Sequence, residues 1–374
     1  MNLHVFNDSH GFFLNLIVER FELNNALENN IFINLNEKTL YKNPKVFYIQ
    51  KNIISYRKKI SSIPKINRIT FYPFDYVGAF FLNELRKTQP DVKVGWVFWS
   101  YEFYHRPDKV QNLFDGFSLD YFKKGVSSFI KLKTKLYNII KKVLYIPVFN
   151  KKLLEESYFL IDNFYSFLEQ DFKNVFKNIP DAKCNYSFLS FLSIEQVTKG
   201  VELKAMSLEV LVGHSPNPSL NHAEILDKLY SFSFTGKLLI PQEFGEEAYK
   251  IAIKQKAKFL FNDKVTLLEK RLPLQEYNER LSSVGFAIFN FKTQEALGNI
   301  LFLIWNGTKI FLQKESSVYI QFKTWGFIIF SIEDDLSKVS LSQYLSINDR
   351  KKNKSISEEL FSTRKIERDW KKLL

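Results

Sequence analysis

The amino-acid sequence predicts an α/β protein with two doubly wound, Rossmann-like domains in series, expected to face each other across a cleft and to be followed by a C-terminal helix. Three observations support this prediction. The chain has 374 residues, more than one hydrophobic core usually organises. Short apolar runs alternate with amphipathic stretches in both halves, which is typical of parallel strands joined by crossover helices. With 45% hydrophobic and 25% charged residues, the composition is that of a folded globular protein.

The first predicted domain spans residues 1–200 and opens with a strand–helix series. Apolar runs predict its strands at Leu3–Phe6, Ile31–Leu35, Lys45–Ile49, Ile69–Pro73 and Val94–Trp99. Amphipathic patterns between these runs predict helices, among them Phe12–Leu27 and Tyr76–Lys87. From residue 120 to residue 175 the pattern indicates helix only.

The second predicted domain spans residues 201–345 and repeats the alternation. Its strands are predicted at Leu208–Val212, Lys237–Ile240, Thr266–Glu269, Phe286–Phe289, Lys309–Leu312 and Phe327–Ser331. Its helices are predicted at Asn221–Tyr230, Glu246–Phe261, Leu274–Ser283, Glu295–Trp305 and Ser317–Trp325. Residues 346–374 form a charged tail, for which a terminal helix is predicted on an apolar stripe of Ile356, Leu360, Ile366 and Trp370.

The net charge of +13 is concentrated in one region of the chain. Residues 51–152 hold 20 lysines and arginines against 7 aspartates and glutamates, which accounts for the whole excess. Such a zone favours an anionic partner, for which nucleic acid, anionic lipid headgroups and a pyrophosphate carrier all qualify. The alternative is a solvated basic surface whose lysine content reflects AT-rich codons.

Residues 123–142 carry much of this charge on an amphipathic helical pattern. Apolar positions recur at spacings of three and four, and lysines occupy much of the remaining face. This pattern predicts a helix that meets an anionic membrane surface through Lys131, Lys135, Lys141 and Lys142. An ordinary surface helix packed on its own domain is the alternative.

Cysteine content and the N-terminus predict a cytoplasmic protein, either soluble or attached peripherally to the inner face of the cell membrane. Cys184 is the single cysteine, which excludes an intramolecular disulfide and a cysteine-based zinc site. The first residues read as a buried strand and lack the basic and long apolar regions of a signal peptide. No Asp-x-Asp follows a predicted strand, so no bound metal and no cofactor are expected.

Two loops that follow strands in the second domain are candidate ligand sites. Residues 212–222 lead from a strand into a helix through small residues, so their backbone N–H groups could bind a diphosphate. An equally good interpretation is a turn with Ser219 or Asn221 as helix cap. Residues 287–300 place Gln294 and Glu295 at a helix start, where they could hold a nucleotide ribose, or where Glu295 could simply cap the helix dipole.

Two carboxylates in the first domain are candidate bases. Asp8 follows the first predicted strand, and Glu102 follows the fifth. An inverting sugar transfer needs one base to accept the proton of the attacking hydroxyl, and either carboxylate could serve. Each could equally be a surface or capping acid. The alternative bases are the histidines His10, His105, His214 and His222.

In several of these motifs, the chain resembles the TDP-N-acetylfucosamine:lipid II N-acetylfucosaminyltransferase family. Its members are also called 4-α-L-fucosyltransferases (glycosyltransferase family fifty-six). The resemblance lies in Val5-Phe6-Asn7-Asp8, the turn at 99–104, Leu211-Val212-Gly213-His214-Ser215 with Asn221-His222, and Phe289-Asn290 followed by Gln294-Glu295-Ala296-Leu297-Gly298-Asn299. It spans nearly the whole chain and is dense from about 205 to 335. The chain departs from the family at Glu243-Phe244-Gly245, where a Ser-Tyr-Gly turn is expected.

The resemblance implies a GT-B fold and metal-independent, inverting transfer from a thymidine-diphosphate deoxysugar. The implied acceptor is a disaccharide on a polyprenyl pyrophosphate carrier at the cytoplasmic membrane face. The second domain would bind the donor, which makes these residues donor-site candidates: Gly213, His214, Ser215, Asn221, His222, Asn290, Gln294, Glu295, Gly298 and Asn299.

The sequence is compatible with three other functions. The same fold could take a uridine- or guanosine-diphosphate sugar for O-antigen or capsule assembly. A nucleic-acid-binding protein could use the basic zone and its aromatic residues, although no duplex- or strand-binding module is recognised and no nucleic-acid partner is expected. A peripheral membrane scaffold would have no activity to lose when Asp8 and Glu102 are replaced.

Overall fold

The computed structural model describes residues 1–125, 150–243 and 245–373. The chain divides into two compact units. One consists of the described residues within 1–103, 128–189 and 370–374, and the other of those within 104–127 and 190–369. Lys131, Lys135, Lys141 and Lys142, for which membrane contact is predicted, lie outside the described residues.

The first unit is built on a seven-stranded sheet in which every pair of neighbours is parallel. Its order is β3-β2-β1-β4-β5-β6-β7, so the chain reverses its direction of winding between β1 and β4. In open parallel sheets, ligands bind outside the carboxyl ends of the strands at such a reversal. The strands are β1 (Asn2–Phe6), β2 (Asn30–Asn34), β3 (Val46–Tyr48), β4 (Arg68–Tyr72), β5 (Lys93–Val97), β6 (Asn163–Ser166) and β7 (Asn185–Phe188).

Helices connect these strands, and polar side chains cap the starts of several of them. Asn52 accepts a hydrogen bond from the Ser55 amide, and Asp75 accepts from the amides of Val77 and Gly78. These caps satisfy backbone donors that a helix start otherwise leaves unpaired. The helices are Phe12–Leu23, Ile53–Ser61, Tyr76–Arg86, Tyr101–Tyr104, Lys151–Ser157 and Glu169–Phe176.

The prediction of helix only from 120 to 175 is wrong at β6. Phe164 and Tyr165 pair with β5 on one side and β7 on the other, and both side chains are buried. A strand buried on both faces lacks the alternation that identifies a half-exposed strand, and its apolar run resembles that of a helix. The sheet therefore has two more strands than the sequence indicates.

The second unit is built on a six-stranded parallel sheet of order β10-β9-β8-β11-β12-β13, which reverses between β8 and β11. β11 is buried along its whole length. The strands are β8 (Ser207–Val212), β9 (Leu238–Pro241), β10 (Val265–Leu268), β11 (Val284–Phe289), β12 (Lys309–Leu312) and β13 (Phe330–Ser331).

The helices of the second unit alternate with its strands along the chain, and the last two form a C-terminal tail. The predicted single terminal helix is broken at Ser362, which has extended backbone. The helices are Gly116–Gly125, Ile194–Thr198, His222–Ser231, Glu247–Phe261, Leu274–Ser282, Leu297–Asn306, Ser317–Thr324, Ile347–Phe361 and Thr363–Trp370. Within the described ranges, none of the helices has the length and apolar character needed to cross a membrane.

Candidate active site

Three carboxyl side chains lie at the carboxyl edge of the first sheet, after three neighbouring strands. Asp8 follows β1, Asp75 follows β4 and Glu102 follows β5. Burial raises the pKa of the nearby Tyr101 hydroxyl, and the charges of Glu102, Asp75 and Asp8 add to the rise. The fold thus brings together the two predicted carboxylates, and it adds a third.

Glu102 is the most perturbed of the three. Its Oε1 accepts hydrogen bonds from the Trp96 indole (3.0 Å) and the Trp99 amide (2.9 Å). Its Oε2 is buried and has no hydrogen-bond partner among the described residues. Burial raises the pKa of Glu102 to about 8, against the lowering effect of these hydrogen bonds, and the charge of Asp75 adds to the rise. One oxygen of this carboxyl group is therefore fixed while the other remains available to take up a proton.

The turn between Trp99 and Glu102 contains a residue with a strained backbone, Ser100. Ser100 has a φ of 79°, a left-handed conformation that costs a non-glycine residue roughly 1–2 kcal/mol. Such strain persists only where the surrounding structure enforces it.

Asp8 has a different environment, in which it holds the start of the first helix. Its Oδ1 accepts from the amides of His10 (2.8 Å) and Gly11 (2.9 Å), and its Oδ2 accepts from the amide of Leu14 (3.4 Å). Both oxygens are therefore engaged by backbone donors. This is the geometry of the capping acid that the sequence left open as the alternative.

Asp75 is the functional candidate that the sequence analysis missed. Besides capping a helix, Asp75 accepts a 2.6 Å hydrogen bond through its Oδ2 from the side-chain Nδ2 of Asn7. Burial raises its pKa, while the hydrogen bonds from Gly78 and Asn7 oppose the rise. The signal was present, because Asp75 follows a predicted strand in the same way as Asp8 and Glu102. His10 and His105 are exposed.

In the second unit, the loops that follow β8 and β11 meet at the carboxyl edge of the sheet. Ser219 donates a 3.2 Å hydrogen bond to Glu295 Oε1. Burial raises the pKa of Glu295 to about 7, and the Ser219 hydrogen bond opposes this rise. The structure therefore brings together the two loops that the sequence predicts to bind the donor.

Asn221 fastens these loops to each other. Its Nδ2 donates to the carbonyls of Leu113 (3.0 Å), Ser219 (3.2 Å) and Asn290 (3.0 Å), and its Oδ1 accepts from the Asp115 amide (2.8 Å). Asn290 in turn donates to the Asn221 carbonyl (3.3 Å). These contacts use the hydrogen-bonding capacity of the Asn221 side chain, so it shapes the loops and has no group left for a ligand.

Gly213 and His222 lie against each other beneath the first loop. Gly213 has a φ of 67°, and a Cβ at this position would lie 2.2 Å from His222 Nε2. Burial lowers the pKa of His222 to about 3, with a further contribution from His214, and burial lowers the pKa of His214 to about 4. Both imidazoles are therefore neutral near pH 7. Ser215, in the same loop, is buried.

The helix Leu297–Asn306 begins without a side-chain cap. Its N-cap residue, Ala296, has a φ of 54° and no side-chain hydrogen bond to the first turn. Asn299 donates to the Tyr277 hydroxyl (3.3 Å), and the buried Gln294 Oε1 has no partner among the described residues. A helix start with unpaired amides and a positive dipole end is suited to binding an anion.

The start of the helix His222–Ser231, predicted to help bind a diphosphate, makes contacts within the protein. The His222 amide donates to the Tyr249 hydroxyl (3.2 Å), and that hydroxyl also lies 3.2 Å from the Ser118 hydroxyl. Glu224, in the first turn, accepts from the amide and the hydroxyl of Ser118. The His222 amide is thus already used within the protein, and the Glu224 carboxylate places a negative charge at this helix start.

A charged pair extends the same edge toward β12. Lys292 forms a 2.6 Å ion pair with Asp115 Oδ1, and Gln313 donates to Asp115 Oδ2 at 3.1 Å. Lys292 follows β11 and Gln313 follows β12, so both lie at carboxyl ends. Across the parts of the chain that the structure describes, no group of three or more His, Cys, Asp or Glu side chains could hold a metal ion.

Comparison with known proteins identifies similarities at two levels. The family model of 4-alpha-L-fucosyltransferase, glycosyl transferase group 56, matches residues 177–374, more than half of the chain. Comparison with the sequences of curated proteins gives no match.

Solved structures resemble the whole chain despite low sequence identity. Sucrose-phosphate synthase from Thermosynechococcus elongatus has a TM-score of 0.61 and 9% identity, over 100% of this chain and 98% of that chain. A glycosyltransferase from Rickettsia africae ESF-5 has a TM-score of 0.61 and 11% identity, over 100% and 97%. Anabaena HepE, solved in complex with UDP, has a TM-score of 0.60 and 10% identity, over 100% and 98%. These similarities confirm the predicted α/β fold of the GT-B type.

Proposed function

This chain belongs to the 4-alpha-L-fucosyltransferase family, glycosyl transferase group 56, and from this premise we propose which sugar it transfers and how. The protein is a glycosyltransferase. The proposed reaction moves a 4-acetamido-4,6-dideoxygalactose-like deoxysugar from a thymidine-diphosphate donor to a polyprenyl-pyrophosphate-linked glycan. The proposed setting is bacterial surface polysaccharide synthesis at the inner face of the cell membrane.

The observation that carries the proposed mechanism is the buried, unpartnered Oε2 of Glu102. In a single displacement, an acceptor hydroxyl attacks the anomeric carbon while the bond to the diphosphate breaks on the opposite face. The diphosphate leaves with the bonding electron pair, and Glu102 Oε2 accepts the hydroxyl proton. A carboxylate whose pKa is raised to about 8 is a stronger base than an ordinary glutamate, which suits this step.

We assign Asp8 a supporting role in this mechanism. Three backbone amides already donate to its carboxylate, so it holds the first helix and the loop beside Glu102. Replacing Asp8 should lower stability and activity together. Replacing Glu102 with glutamine should lower activity, by on the order of 10²–10⁴ in rate, without lowering stability.

For the donor, we propose that the diphosphate binds at the uncapped start of the helix Leu297–Asn306. The amides of Leu297, Gly298 and Asn299 would donate to the phosphate oxygens and stabilise the charge that develops on the leaving group. Glu295 and Gln294 precede these amides and would hold the ribose hydroxyls. Gly213, His214 and Ser215 would form the opposite wall of the donor site, through the contact between Ser219 and Glu295.

The donor class is tested by thermal shift of the purified chain with thymidine, uridine and guanosine diphosphates. Selective stabilisation by thymidine diphosphate is expected. Stabilisation by uridine or guanosine diphosphate alone would replace the donor and keep the mechanism. No stabilisation by any of the three would remove the donor-site assignment.

The helix start itself is tested by Gly298→Ala. A Cβ at Gly298 would lie 3.3 Å from the flexible end of Leu192, and alanine favours helix by up to about 1 kcal/mol over glycine. The unliganded variant should therefore be as stable as wild type, or slightly more stable. Its thymidine-diphosphate affinity should fall about tenfold if the phosphate approaches this backbone closely. Unchanged affinity would place the diphosphate elsewhere.

Metal independence and membrane attachment are separate parts of the proposal. Turnover in EDTA should equal turnover with Mg²⁺, and a requirement for added metal would contradict this.

Replacing Lys131, Lys135, Lys141 and Lys142 with glutamate should weaken binding to anionic vesicles. Unchanged binding would exclude these lysines as the attachment site.

A further inference from the structure

Five exposed apolar side chains follow the strands β1, β2 and β3 of the first unit. Phe12 is 59% exposed, Phe13 42%, Leu40 72%, Tyr41 60% and Ile54 81%. Single exposed apolar residues are ordinary on protein surfaces, but contiguous ones mark contact sites. We call these five residues the apolar rim.

The sheet topology places the rim residues along one edge. Ile54 follows β3, Leu40 and Tyr41 follow β2, and Phe12 and Phe13 follow β1. Because the sheet order is β3-β2-β1 and the strands are parallel, the three loops leave the same edge of the sheet side by side.

Direct contacts hold the loops after β1 and β2 together. The Leu40 amide donates to the Ser9 carbonyl (3.1 Å), and the Tyr41 amide donates to the His10 carbonyl (3.0 Å). Gly11 permits this approach, because a Cβ there would lie 2.2 Å from the Tyr41 carbonyl oxygen. The two loops that carry Phe12, Phe13, Leu40 and Tyr41 are thus fastened to each other.

Aromatic contacts connect the rim to the catalytic candidates. The Phe13 ring lies 5.4 Å from Phe12 and 5.0 Å from Trp99. Trp99 donates its amide to Glu102. A partner seated on the rim would therefore lie next to the proposed base.

Positive charge accompanies the exposed apolar groups. Residues 38–59 contain seven lysines and arginines and no aspartate or glutamate. Lys38, Lys42 and Lys51 are exposed and flank Leu40, Tyr41 and Ile54 in the sequence. Exposed aliphatic and aromatic side chains among lysines match a membrane interface, where the apolar groups enter the acyl boundary and the lysines meet anionic headgroups.

We propose that the apolar rim, with Lys38, Lys42 and Lys51, docks the first unit on an anionic lipid bilayer. The bilayer is favoured over nucleic acid because Leu40 and Ile54, the two most exposed rim residues, are aliphatic and offer no ring for base stacking. This inference rests on the proposed lipid-linked acceptor, whose reacting sugar the rim would deliver to Glu102. It concerns residues distinct from the lysines of 131–142.

Vesicle binding by the full chain tests the proposal. The chain should bind vesicles of equal parts phosphatidylcholine and phosphatidylglycerol. The triple variant Phe12→Ser, Leu40→Ser, Ile54→Ser should partition about tenfold more weakly, because less apolar surface enters the interface. The matched control is Leu23→Ser with Phe259→Ser, which removes two apolar side chains of similar exposure, 83% and 84%, outside the rim. Equal binding by the triple variant and the control would overturn the proposal.

Charge and depth provide two further measurements. Replacing Lys38, Lys42 and Lys51 with glutamine should reduce binding by on the order of fivefold per lysine at low ionic strength, and only with phosphatidylglycerol present.

In a Cys184→Ser background, an environment-sensitive dye on Leu40→Cys should shift its emission to the blue when vesicles are added, while the same dye on Leu23→Cys should not. A Leu40 dye that keeps its aqueous emission on vesicle-bound protein would refute docking through the rim. So would binding to an oligonucleotide that competes with vesicles and depends on the rim.

Nucleotide binding separates failure of this inference from failure of the proposed function. The triple variant should keep the thermal shift with thymidine diphosphate, because none of its residues belongs to the donor site. Nucleotide stabilisation without any dependence of vesicle binding on the rim would overturn this inference alone. Loss of both in the wild-type chain would overturn the proposed function as well.

Discussion

Replacing Glu102 with glutamine tests the proposed base without any substrate. Glutamine copies the neutral form of the carboxyl group and keeps an oxygen for the donors Trp96 and Trp99. Wild-type Glu102 ionises in the folded protein only near pH 8, whereas the ordinary value is 4.5. Because the folded pKa is raised, the folded state holds the proton more tightly than the unfolded state. The resulting stabilisation is full below the ordinary pKa and is lost as the pH rises toward 8.

The size of this effect follows from the two pKa values. Each unit of difference is worth about 1.4 kcal/mol, so wild type should lose about 4 kcal/mol relative to Glu102→Gln between about pH 5 and about pH 9. For domains of this size, that corresponds to a shift in melting temperature on the order of 8 °C. The variant should therefore be close to wild type near pH 5 and clearly more stable near pH 9.

Thermal melts of both proteins across this range provide the assay, with the exposed Glu276→Gln as the control for removing a surface carboxylate. A stability difference between Glu102→Gln and wild type that does not change with pH would refute the reasoning, since it would mean that Glu102 ionises normally. If the difference does change, wild-type turnover should rise with pH up to about 8, and Glu102→Gln should lose that rise along with most of its activity.

Three further predictions concern the residues around these sites. Asp75→Asn should move the acid limb of the pH–rate profile to lower pH, because the charge of Asp75 raises the pKa of Glu102, and an unmoved limb would contradict this. Gly213→Ala should destabilise the chain by about 2–5 kcal/mol in urea unfolding, because alanine is strained at this left-handed φ and its Cβ would clash with His222. A loss of stability below about 1 kcal/mol would mean that the loop adapts. Asn221→Ala should cost about 3 kcal/mol or more, because it leaves several buried backbone groups unpaired, and it should do so with or without nucleotide. A variant of normal stability with weaker nucleotide binding would instead make Asn221 a ligand contact.

The sequence by itself determined the features that depend on neighbours along the chain. Alternating apolar runs predicted eleven strands, because a buried strand needs only a short run of suitable side chains. The motifs of the sequence identified the family, and the position of polar residues after predicted strands made Glu102 and the loops at Gly213 and Glu295 site candidates. These signals depend only on residues that are close in the sequence, so they can be recognised without knowledge of the fold.

Only the tertiary structure decided the roles that depend on distant partners. β6 became a strand because β5 and β7 pair with it on both sides, although its sequence alone resembles a helix. Asn221 has a structural role because its side chain bonds to residues more than a hundred positions earlier. Asp75 is held near the strand β1 by Asn7, which lies 68 positions away in the sequence. The raised pKa of Glu102 likewise arises from burial, which depends on how the chain packs around it. A carboxylate in the sequence indicates that acid–base chemistry is available, but its surroundings determine whether it acts as a cap or as a base.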